Sequence, residues 1–133
     1  MHKTSRVVFF FDNNVSQHLA AGMKAFQEQA IHLVDEFSQD TKDTDWIPVV
    51  GSKGWTLVTR DERILKNPAE LKAYKENNIG AFFLGGKNRS RCDLIRQLVR
   101  NWPRMKELAA KTRKPFAFRV PPSGGKFKKI LLI

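Results

Sequence analysis

Cys92 is the chain's one cysteine, so no disulfide can form within it. That excludes a disulfide scaffold and fits a reducing compartment, which makes a cytoplasmic location the expectation. A zinc ribbon is excluded with it, and His2, His18 and His32 lack the paired spacing of a zinc site. No apolar run approaches the roughly 20 residues that a membrane span needs. Residues 7–11 are too short for a signal-peptide core. Acids are scarce in one part only: residues 86–133 hold 2 Asp or Glu against 14 Lys or Arg, whereas residues 1–85 hold 11 against 10. A net charge of +11 gathered in the last part points to a phosphate-rich or otherwise acidic partner.

The chain has 133 residues, of which 41% are hydrophobic, so a single domain with its own core is expected. Residues 6–11 (RVVFFF) form a continuous apolar run that reads as a strand buried on both faces. Ser16 can cap the helix that follows, with Val15 and Ala20 at staple spacing and Leu19, Met23, Phe26 and Ala30 on one face. A short strand over 31–34 leads into an acidic stretch over 35–43. Thr44 can cap a helix that opens on Asp45-Trp46-Ile47 and ends near Gly51 and Gly54.

The second half alternates in the same way. Residues 56–59 (TLVT) read as a strand, and Asn67-Pro68-Ala69-Glu70 combines a cap, a first-turn proline and a Glu at the third position. A buried-type strand over 81–84 closes at Gly85-Gly86. Ser90 and Asp93 can cap a long helix toward Lys111, which Pro103 should kink or divide. Leu94, Leu98, Trp102, Met105 and Leu108 make its apolar stripe. Arg89, Arg96, Arg100 and Arg104 fall opposite. A strand over 116–120 and a turn over 121–125 precede the final KFKKILLI. Alternating strands and helices imply a three-layer, Rossmann-like α/β domain with a mostly parallel central sheet.

In such sheets ligands bind beyond the carboxyl ends of the strands, so acids placed there are candidates for chemistry. Asp12 directly follows the first strand, Asp61 lies just past the third, and Asp45 opens a helix. Carboxylates held close together repel unless a cation neutralises them, and a hard divalent ion such as Mg2+ or Mn2+ suits oxygen donors. With the basic half, the pattern points to phosphodiester hydrolysis. Each acid also has a plainer reading, as a helix cap or a turn residue.

Three segments carry a resemblance. FFFDNNVS over 9–16, DTDW over 43–46 and GWTLVTRDERI over 54–64 resemble the PIN-like domains, and in particular the VapC-type toxins of bacterial toxin–antitoxin pairs. The most specific piece is Thr59-Arg60-Asp61. The similarity covers most of the chain to about Val120, which makes residues 1–120 a PIN-like nuclease domain. Residues 121–133 are then a basic and apolar tail that packs on it or extends it. The resemblance implies an endoribonuclease that cuts RNA with Mg2+ or Mn2+ and is held inactive by a cognate antitoxin. It carries the catalytic and metal-binding roles to Asp12, Asp45 and Asp61. Asn13, Thr59, Asp43 and Glu62 are supporting candidates, and Asp35 or Glu36 would also complete the set. Arg89, Arg96, Arg100 and Arg104 are candidates for RNA or partner contact, and a homodimer is an expectation of the same kind. One departure stands out: where many relatives place another acid two residues after the aspartate of Thr-x-Asp, this chain has Arg63, which questions a second metal.

Two other functions compete. A haloacid-dehalogenase-like phosphatase would use Asp12 as nucleophile, but such enzymes carry a second Asp where this chain has Asn14. A PIN-like scaffold that binds RNA or protein without cutting is the non-enzymatic alternative, and Arg63 is what favours it. Cys92 opens a helix without a His or Asn motif beside it. Ser123-Gly124-Gly125-Lys126 lacks the spacing of a phosphate loop.

Overall fold

The computed structural model describes residues 7–85 and 89–132. His2, Arg6, Gly86 and Ile133, for which the sequence carries expectations above, lie outside the described residues. Among the described residues six strands form one sheet: β1 (Phe9–Phe11), β2 (Ala30–His32), β3 (Thr56–Thr59), β4 (Gly80–Phe83), β5 (Phe116–Arg119) and β6 (Lys128–Lys129). Their order is β2-β1-β3-β4-β5-β6. The first five are parallel, and β6 returns antiparallel beside β5, so residues of the tail extend the sheet. Among the described residues five α-helices connect them: α1 (Gln17–Ala25), α2 (Leu33–Glu36), α3 (Asp43–Lys53), α4 (Pro68–Glu76) and α5 (Arg91–Lys111). Among the described residues no helix is long and apolar enough to cross a membrane.

The strands alternate in which face they bury, as the two-residue period of a strand requires. Phe9, Phe11, Val58, Phe82, Phe116 and Phe118 point to one face, where α1 and α5 supply Leu19, Met23, Leu94, Leu98, Trp102 and Met105. Phe10, Leu57, Ala81, Phe83 and Ala117 point to the other, under Trp46, Ile47 and Val50 of α3 and Tyr74 of α4. All three phenylalanines of β1 are fully buried, which is why this strand has no polar residue. The result is the expected three-layer α/β/α domain.

Two packing contacts fix the layers at close range. A Cβ at Gly80 would overlap the ring of Phe116, so β4 and β5 approach where only glycine fits. A Cβ at Gly51 would meet the backbone of Asn77, which lets α3 close on the end of α4.

Several boundaries differ from expectation. The strand expected over 31–34 stops at His32, whose ring caps α2: its Nδ1 accepts the Val34 N–H while Asp35 accepts the His32 N–H. With Nδ1 accepting, the proton sits on Nε2, which donates to the Val15 carbonyl at 2.7 Å. His32 is thus a satisfied core residue, and Asp35 is a capping one. Helix α3 begins at Asp43, after Lys42, and Thr44 does not cap it. Helix α5 runs through Pro103 undivided. The carbonyl left without a helical partner belongs to Val99, a residue that is 56% exposed.

Candidate active site

The order of strands reverses beside β1. The connection after β1 leads through α1 on one face, and the connection after β3 leads through α4 on the opposite face. The carboxyl ends of β1 and β3 therefore border the crevice in which α/β domains hold ligands. Asp12 and Thr59 stand side by side at this point, because Phe11 pairs with Val58 and the Asp12 N–H continues the ladder to the Val58 carbonyl at 3.0 Å.

Asp12 is only 6% exposed, which is unusual for a carboxylate. Its Oδ2 lies 3.0 Å from the Thr59 hydroxyl, and its Oδ1 accepts the N–H of Asn13. The Thr59 oxygen in turn accepts the Asp61 N–H at 3.1 Å, so one side chain ties both aspartates together. Asn14 braces the same corner: its Oδ1 accepts the Arg60 N–H at 2.9 Å and lies 3.1 Å from the Thr59 hydroxyl. Burial raises the Asp12 carboxyl above the usual carboxylate range. The bonds from Asn13 and Thr59 oppose that shift, and the negative charges of Asp43 and Asp61 add to it.

The second acid at the corner is Asp43. Its charge reaches Asp12, and its Oδ1 accepts the indole N–H of Trp46 at 3.0 Å. Asp45, which the sequence placed in the catalytic set, is exposed, and its carboxylate joins no hydrogen bond or ion pair among the described residues. Residues two apart on a helix do not share a face, so a helix that starts at Asp43 can present only one of the two. The buried Trp46, Ile47 and Val50 set its phase.

Glu70, in the first turn of α4, was missed by the sequence reading as a site residue, since it there counted only as a helix-start signal. Its backbone N–H is capped by Asn67 at 3.1 Å. Burial pushes its carboxyl up, and Asp43 adds to this through its charge and a shared hydrogen bond, with a further contribution from Asp61. The available signal was position, because Glu70 opens the helix that follows Asp61 over the switch point. Asp61 behaves oppositely. The Arg63 guanidinium beside it holds its carboxyl below the usual range, with Nη2 2.8 Å from Oδ2 and Nε 2.9 Å from Oδ1.

Other candidates are committed elsewhere. Glu62 pairs with Arg119 through two bonds of 2.7 and 2.9 Å and does not join the carboxylates. The Asn13 amide reaches the Gln39 carbonyl at 2.7 Å, which tethers the loop.

Asp12, Asp43, Asp61 and Glu70 form an all-oxygen donor set, and the charges of Asp43 and Asp61 disfavour those of Asp12 and Glu70. That chemistry fits a hard divalent cation. Among the described residues, however, no three His, Cys, Asp or Glu side chains are grouped tightly enough to hold an ion, and Asp61 gives both its oxygens to Arg63.

Along the same sheet edge lies a basic cleft. Arg89, Arg96 and Arg100 line a cavity of about 790 Å³ together with Asp93, Pro122 and Ser123. A neighbouring groove of about 440 Å³ shares Arg89 and Pro122 and extends past Leu84, Gly85 and Val120, at the ends of β4 and β5, to Arg119 and Glu62. Two buried amides anchor α5 over these ends. Gln97 donates to the Leu84 and Val120 carbonyls at 3.0 and 3.1 Å, and Asn101 to the Pro121 carbonyl at 2.9 Å. Arg104 pairs with Glu107 and does not line this cleft.

These features define a Rossmann-like parallel α/β domain with a carboxylate corner at its switch point. A family model described as a PIN like domain matches residues 7–86, more than half of the chain. The chain belongs to the PIN-like domain family. No curated protein and no solved structure matches it.

Proposed function

We propose that the protein is a metal-dependent endoribonuclease, the toxin of a type II toxin–antitoxin pair of the VapC kind. The observation that carries this reading is the buried Asp12, braced by Thr59 beside Asp43 and Asp61, on the sheet edge that also bears the Arg89–Arg96–Arg100 cleft. On this reading Asp12, Asp43 and Asp61, which are not grouped tightly in this structure, would draw together on Mg2+ or Mn2+, with Glu70 beside them. The bound cation would supply Lewis-acid stabilisation of the phosphoryl oxygens and a more acidic water.

The protein's own groups do the rest. Thr59 fixes the Asp12 carboxylate toward the crevice and holds Asp61 at the same time. Glu70, whose carboxyl is pushed up by burial and by the charge of Asp43, shares a hydrogen bond with Asp43. Arg89 and Arg96 bind the RNA backbone through phosphate charge, which positions the strand without reading its bases. A cognate antitoxin protein and a homodimer belong to the same reading.

A non-catalytic RNA- or protein-binding module is the second reading, and the Arg63–Asp61 pair favours it. Incubation of labelled single-stranded RNAs with Mg2+, Mn2+ or EDTA, beside Asp61→Asn protein, separates the two. Metal-dependent cuts by the wild type alone are expected. RNA binding with no cuts in either metal, and no metal binding in calorimetry, would leave the binding module.

A further inference from the structure

Arg63 makes the strongest commitment to Asp61 of any side chain near it. Its Nε lies 2.9 Å from Oδ1 and 3.1 Å from Oδ2, its Nη2 lies 2.8 Å from Oδ2, and its backbone N–H donates to Oδ1 at 2.9 Å. A planar guanidinium matches a carboxylate in this forked way and cannot lose its charge. The Arg63 side chain is 86% exposed against 29% for Asp61, so little packing holds it in place and charge does. The carboxylates of Asp43 and Glu70 act on it as well. Three of the four acids of the corner thus act on its charge.

We propose that Arg63 is a built-in counter-cation of the carboxylate corner: it occupies the two Asp61 oxygens that a divalent cation would use, so a metal ion binds by exchange with the guanidinium. This rests on reading the corner as a metal site. Both cations want the same lone pairs, and Asp61 cannot serve the fork of Arg63 and a metal ion at full strength together. A divalent ion has the larger charge and wins when its concentration is high enough. Arg63 thereby sets the concentration of free cation at which the corner fills. A merely structural role, an ion pair at the start of the short 3-10 turn Glu62–Leu65, would leave metal affinity untouched.

The test needs no RNA. Free Mn2+ is followed by electron paramagnetic resonance during titration of the wild-type chain, Arg63→Met, Arg63→Lys and Asp61→Asn, each checked for its fold by circular dichroism. Removing an exposed but forked ion pair should tighten Mn2+ binding in Arg63→Met roughly twofold to fivefold. Arg63→Lys should fall between, because an ammonium carries the charge without the fork. Asp61→Asn should abolish tight binding. Equal or weaker binding by Arg63→Met, with Asp61→Asn still defective, would overturn the proposal and leave the metal site standing. No Mn2+ binding by the wild type or any variant would overturn both.

Discussion

The carboxylate corner and the basic cleft share one edge of the sheet but are built on different terms. The corner lies inside the segment that the PIN-like family matches, and its acids are buried or bonded: Asp12 to Thr59, Asp61 to Arg63, Asp43 to Trp46. The cleft is made mainly from residues beyond that segment. Its arginines are exposed or half-buried, and Arg100 reaches only a main-chain carbonyl, that of Ser123 at 2.8 Å. Chemistry on a phosphodiester needs charge at a fixed place, so the corner spends hydrogen bonds on holding carboxylates where burial disfavours them. Binding a polyanion needs charge density, which tolerates mobile side chains. Substitutions in the two regions should therefore fail in different ways.

The largest separation is expected at Asp12. Asp12→Asn keeps the size of the side chain and an oxygen for the Asn13 N–H but removes the charge. Cleavage of RNA should fall by about a hundredfold or more, as for loss of other preorganised charged groups. RNA affinity, measured by filter binding, should persist. Stability should move the other way. The folded protein raises the Asp12 carboxyl, so the fold prefers it protonated. Its favourable contribution is present below the unfolded-state value and is lost as pH rises through the folded one. At neutral pH the charge is a burden on the fold. Asp12→Asn should melt higher than the wild type at pH 7, and the gain should fade as pH falls into the carboxylate range. Asp61 and Glu62, lowered by Arg63 and Arg119, behave in the opposite sense: the stability they add above their unfolded-state values is lost as pH falls through the folded ones. A variant that loses cleavage and stability together would break the contrast.

Thr59 comes next. Thr59→Val leaves Asp12 buried with one partner fewer and the Asp61 N–H without its acceptor. A cost of about 1–3 kcal/mol in urea unfolding is expected, with Thr59→Ser close to the wild type because the hydroxyl is kept. If Val and Ser behave alike, the hydroxyl is not what holds the corner.

How much of this was legible in the sequence follows from the same contrast. The layers were, because the short apolar runs FFF, TLVT and FAF and the stripe of α5 are local signals that tertiary packing reinforces. Asp12 and Thr59 were as well, since both sit directly at strand ends. What stayed hidden depended on phase. Whether Asp43 or Asp45 faces the corner turns on a helix that starts at Asp43, two residues earlier than a Thr44 cap would start it, and the burial of its own Trp46 in the core decides that. Glu70 required knowing that α3 and α4 pack together at their starts. Gln97 and Asn101 carry no local signal of burial, yet both are buried because strand-end carbonyls need donors.

In the cleft the damage should be to affinity and not to stability. A double Arg89→Ala, Arg96→Ala protein should unfold within about 0.5 kcal/mol of the wild type, as exposed substitutions usually do. Its binding to single-stranded RNA should weaken, and the slope of log affinity against log salt should flatten by about 1.4, at roughly 0.7 for each phosphate no longer neutralised. An unchanged slope would place the RNA elsewhere.

The smallest effect belongs to Arg104, and it tests whether position or mere charge makes the cleft. Arg104 lies two turns beyond Arg96 on the same helix, so a uniform stripe would treat the two alike. The structure separates them: Arg96 lines the cleft, whereas Arg104 is held by Glu107, which also pairs with Lys111 at 3.0 Å. A cation already neutralised by a neighbouring carboxylate offers a phosphate less, and removing it frees Glu107 for Lys111. Arg104→Ala should therefore change the RNA salt slope by less than about 0.3, well under the roughly 0.7 expected for one neutralised phosphate. Equal weakening by Arg96→Ala and Arg104→Ala would mean that the whole helix face acts as a diffuse positive surface, and the distinction between a built cleft and a charged face would fall.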